Sequence, residues 1–193
     1  MVMNPALAGL TCALTLVAGR AVAAEALADA FHAPRLSADC VWNSLPKSLR
    51  DSVEAAQTLD DVSAVVSPLD AKGPARMRAI ALRCGVPAAG PEPAEVAQHV
   101  VVAKSLEIWS ANQLKAGYGV GPEALARAYG ATPPAARAEF ARWFIGNLDM
   151  STAPMDAASP MMDALGLAGD DATKLVLFYA ASRALVEQMG GTG

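Results

Sequence analysis

Four methionines crowd the stretch DMSTAPMDAASPMMD at 149–163: Met150, Met155, Met161 and Met162. Thioethers are soft ligands that select Cu(I), so a cluster of them outside a reducing compartment could hold that ion. Two prolines and three aspartates punctuate the stretch, which reads as a loop. The plainer use of methionine is to fill irregular gaps where short helices meet. Dense Met-x-x-Met spacing and accompanying histidines are missing here, so core filling is the favoured reading and soft-metal binding through 150–162 an alternative.

Glu107 is the second group with chemical potential. It stands in LEIW, flanked by apolar residues of a long helical segment. Burial would raise its pKa and suit it to general-acid work, for instance on cell-envelope material. The bland expectation is an exposed carboxylate pairing with Lys104 or Lys115. Gln98, Ser105 and Asn112 recur every seven residues on the same segment. This narrow polar stripe is expected to face water or a polar neighbour; lining a ligand site is the sharper option.

Other chemistries find little footing. The two histidines, His32 and His99, form no metal-binding pair at helical spacing. No G-x-S-x-G elbow or S-x-x-K occurs. GYGVG at 117–121 has glycines at phosphate-loop spacing, but a helix precedes it where a nucleotide fingerprint needs a strand. No cofactor is indicated, and any enzymatic role rests on Glu107 alone. The arginines at 76 and 83 share a helix face with Lys72 nearby, which reads as a solvated surface.

Residues 1–24 read as an export signal. An apolar run at 5–19 is followed by AVAAEA, with small residues before Glu25 and cleavage expected after Ala24. The absence of Lys or Arg before the run departs from the usual pattern. Cleavage would remove Cys12 and leave Cys40 and Cys84, an even pair in an oxidising compartment, where a disulfide is expected.

The elements that must position these groups are helical almost throughout. The apolar fraction is 53% but the aromatic fraction only 5%, with alanine prominent, a composition suited to closely packed helices. Prolines at 46, 74 and 133 mark helix starts, and glycine after Cys84 marks an end. A helix over 94–116, apolar on most faces, is expected at the centre. Trp42-x3-Pro46-x3-Arg50 is echoed by Tyr129-x3-Pro133-x3-Arg137. The echo raises an internal duplication of half-units 40–87 and 122–190 around the central helix; each arginine is expected to pair with a carboxylate or a carbonyl of the neighbouring helix. The formal charge of −4 has no basic footprint, which argues against nucleic acid as a partner.

The reading is thus an all-α, irregular bundle of about seven or eight helices, a single domain over 25–193, periplasmic or secreted, with no membrane span after cleavage. Its expected role is that of a non-catalytic binding or interaction module for an envelope protein or a small molecule.

Overall fold

The computed structural model describes residues 36–67, 73–146 and 148–189. The expected leader at 1–24, the segment 25–31, His32 and Lys72 lie outside the described residues. Among those described there are nine α-helices, one 3-10 turn and no strand. We label the helices α1 (Ala38–Asn43), α2 (Lys47–Ala55), α3 (Leu59–Val66), α4 (Pro74–Arg83), α5 (Pro93–Tyr118), α6 (Pro122–Gly130), α7 (Pro134–Ile145), α8 (Met155–Leu165) and α9 (Asp170–Gln188).

Local chemistry accounts for most boundaries. Ser37 caps α1 by accepting from the Cys40 amide. Thr58 and Asp61 form a capping box at α3, and the amides that Asp61 accepts hold its carboxyl below the usual carboxylate range. Pro74, Pro93, Pro122 and Pro134 occupy first-turn positions, where a missing N–H leaves no bond unmade. Gly119 ends α5 and Gly166 ends α8, both in the left-handed region that side chains avoid. The N-cap of α9 is Gly169. Asp170 and Asp171 lie in its first turn, where their charge complements the helix dipole.

The core is built around α5, 26 residues long. It packs most extensively against α9 and then α4, while α1, α2 and α3 also rest on it. Beyond α9, α7 and α8 pack against α9 rather than against α5. Both long helices bury residues around most of their circumference, as expected for α5. On α9 the buried set runs through residues 176–182 and 184–186, while Leu175 is only half-buried. Alanine makes this possible: Ala172, Ala180, Ala181 and Ala184 admit neighbouring helices on several sides. Phe178 fills the junction of three helices, stacked on Trp143 of α7 (6.1 Å) and tilted against Trp109 of α5 (6.3 Å).

The Trp/Tyr–Pro–Arg echo has a common local form. Pro46 and Pro133 are the N-caps of α2 and α7. Arg50 donates to the Asn43 and Leu45 carbonyls, and Arg137 to the Thr132 carbonyl. In each case the guanidinium reaches back to the carbonyl five residues earlier and ties the helix to the turn that feeds it. The wider packing differs: α2 meets α5, whereas α7 meets α9.

The methionine stretch differs from its expected loop. Met155–Leu165 is the helix α8, which carries Pro160 inside it without the backbone bond that proline cannot donate. Its apolar positions outweigh the punctuation, because Ala158, Met161 and Met162 bury against the core.

Candidate functional site

Cys40 and Cys84 form a disulfide, with Cα atoms 5.5 Å apart and a sequence separation of 44. Cys40 lies in α1 and Cys84 caps α4, so the bond fastens the short first helix to the end of a core helix. The Ser37 amide donates to the Cys84 carbonyl (3.1 Å) beside it.

Glu107 is neither exposed nor paired only locally. It is 8% exposed, held between Lys104 one turn away (3.3 Å) and Arg183 of α9 (3.0 Å). Lys104 also meets Asp39 of α1 (3.2 Å). The exposed-face expectation is therefore corrected: α9 covers this side of α5. Lys115 has no ion-pair partner among the described residues. Arg183, separated from Glu107 by 76 residues, was invisible to periodicity. Burial works against its charge, but the hydrogen bond to Glu107 and the charge of that carboxylate more than offset this, and its pKa is raised.

A second polar group lies further along α9. Glu187 accepts from the Tyr129 hydroxyl (2.8 Å) and from Arg137 (2.8 Å), whose guanidinium lies over the Tyr129 ring at 5.6 Å. Tyr129 meets Tyr179 edge-on, with centroids 6.5 Å apart. Burial, then the bond to Glu187 and its charge, push the Tyr129 phenol far above its ordinary range. Burial followed by the charge of Glu107 raises Tyr179. These phenols stay protonated and act as hydrogen-bonding and packing groups. The shallow cleft beside this group, about 270 Å³, is lined by Pro134, Arg137, Ala138, Ala184, Glu187 and Gln188.

The polar stripe of α5 divides. Gln98 and Ser105 are buried and so do not face water, while Asn112 is exposed and donates to the Glu54 carbonyl of α2 (3.3 Å). Ser105 Oγ, like Trp109 Nε1 and Ser182 Oγ, has no hydrogen-bond partner among the described residues. None of the stripe residues lines the 270 Å³ cleft or the second cleft described below. His99 is half-buried; burial holds its imidazole below the ordinary value, against a bond from Nδ1 to the Glu95 carbonyl (2.8 Å).

The four methionines are divided between interior and surface. Met161 is 1% exposed and Met162 buried, whereas Met150 is half-buried and Met155 is 51% exposed. Replacing Met161 by alanine should lower stability by about 2–5 kcal/mol, the cost of a core cavity. The same change at Met155 should fall within about 0.5 kcal/mol of neutral. Urea unfolding of the two variants checks this; equal losses would contradict the division. Among the described residues, no group of three or more His, Cys, Asp or Glu side chains is arranged to hold a metal ion.

A second cleft, about 390 Å³, opens at the C-terminal end of α7, lined by Glu139, Arg142, Trp143, Gly146, Thr152 and Pro154. The turn beneath it is held by Trp143 Nε1 donating to the Asp149 carbonyl (2.8 Å), and by the Asp149 carboxylate accepting from the Ser151 amide (2.9 Å).

Compared with known proteins, the chain matches no family model, no curated protein and no solved structure.

Proposed function

We propose that the protein is exported, that residues 1–24 are a cleaved leader, and that the remaining helical domain is a non-catalytic binding or interaction module in the periplasm or outside the cell. The observation that carries this reading is the Cys40–Cys84 disulfide. Such bonds persist in oxidising compartments and are rare where thiols are kept reduced. No helix among the described residues is long and apolar enough to cross a membrane, which suits a domain released from its leader.

The non-catalytic part is supported by how Glu107 is used. Both its carboxylate oxygens face cations, and it lines neither of the two clefts. Its geometry is that of a tie between α5 and α9. The ligand of the module is an envelope protein or a small molecule.

Expression of the full chain in its native host, followed by fractionation, N-terminal sequencing and thiol labelling, tests the reading. The expected product begins near Glu25, leaves the cytosol and has no labelled thiol at Cys40 or Cys84. An intact N-terminus on a cytosolic chain with both thiols free would overturn it.

A further inference from the structure

We propose that the 390 Å³ cleft at the end of α7 binds a small zwitterion with an apolar side chain, an α-amino acid or a dipeptide. This rests on the reading of the domain as a binding module and names its ligand class. The volume falls within the range of about 300–1,000 Å³ found for small-molecule sites.

The cleft holds two charges that no other group in the described structure pairs with. Arg142 and Glu139 both line the cleft, one helical turn apart. That spacing commonly gives an ion pair, yet neither side chain has an ion-pair or hydrogen-bond partner among the described residues. The other arginines of the C-terminal half, Arg127, Arg137 and Arg183, each meet a carboxylate. Arg142 also lies in the last turn of α7, where the helix dipole favours a cation. A free anion would be attracted by Arg142 but repelled by Glu139, and a free cation the reverse. A molecule carrying both charges satisfies both, with its carboxylate toward the guanidinium, a pairing that planar geometry strengthens.

The apolar wall completes the site. Trp143 lines it, held rigid by its bond to the Asp149 carbonyl and its stacking on Phe178. Pro154 also lines it.

The test is a titration of the full, oxidised protein with leucine and with dileucine, followed by amide NMR shifts. N-acetyl-leucine removes the ammonium and leucine amide removes the carboxylate. Saturable shifts confined to residues 139–155 are expected, and each control should bind roughly tenfold more weakly or worse, as expected for losing a charged hydrogen bond. Arg142→Gln should weaken leucine similarly but leave the already weak amide unchanged; Glu139→Gln should do the same toward N-acetyl-leucine. Both side chains are exposed, so an unchanged thermal midpoint will show the variants folded. Absence of saturable shifts, shifts centred elsewhere, or binding indifferent to both substitutions would remove the site. An exported, oxidised chain that binds no zwitterion loses this site alone; a cytosolic, reduced chain that binds leucine loses the export reading alone.

Discussion

Replacing Cys40 and Cys84 together by serine is expected to lower the unfolding free energy by about 4 kcal/mol, the chain-entropy estimate for a loop of this length. The bond spans 44 residues and joins α1 to the end of α4. Helix α1 has only six residues, far below the length at which a helix holds itself together in water. It stays in place through its buried face, Ala38, Val41 and Trp42, and through this covalent tie. Its other tie, Asp39 to Lys104, is worth little because the Asp39 side chain is 40% exposed. Urea unfolding of the oxidised protein, the reduced protein and the double variant provides the measurement. The reduced protein and the variant should share a midpoint well below that of the oxidised protein. A loss under about 1 kcal/mol would show that the unfolded chain is not appreciably constrained by the bond.

Glu107→Ala should be nearly as damaging, lowering stability by about 3–5 kcal/mol. The substitution leaves Arg183, 22% exposed, without a carboxylate and Lys104, 14% exposed, with only the half-exposed Asp39. A buried ion pair adds little over a well-packed apolar replacement, but removing one partner strands the other. The same physics supplies a second arm. Combining Glu107→Leu with Lys104→Met and Arg183→Met removes the stranded charges and should recover most of the loss. Thermal and urea unfolding of the single and triple variants decides the matter. If the single variant is close to neutral, water reaches this cluster and α9 does not depend on it. If the triple variant is no better than the single one, packing rather than stranded charge is the cause.

Much of the local structure was legible in residue order. Proline at first turns, glycine at helix ends and the even pair of cysteines each act within a few residues or through a simple compartment argument. Core filling describes Met161 and Met162 but not the exposed Met155, and the punctuation of the stretch suggested a loop where α8 forms. What could not be read was which face of a helix meets which partner. Periodicity placed Glu107 beside Lys104, but the partner that buries it, Arg183, is 76 residues away. Tyr129, Arg137 and Glu187 likewise converge only because α6, α7 and α9 pack together. In an alanine-rich helix that is apolar on most sides, hydrophobic pattern does not single out one buried face.

The amino-acid order alone therefore determined the all-α class, most helix boundaries and the candidate pair of sulfurs, because caps, breakers and 3.6-residue periodicity are short-range effects. Tertiary structure decided that Glu107 is a buried tie, that the polar stripe on α5 is mostly covered, and that Met161 and Met155 have opposite surroundings. It also decided that Arg142 and Glu139 share a cleft with Trp143. Those outcomes depend on how whole helices are placed against one another, and that placement is settled by the packing of faces far apart in sequence.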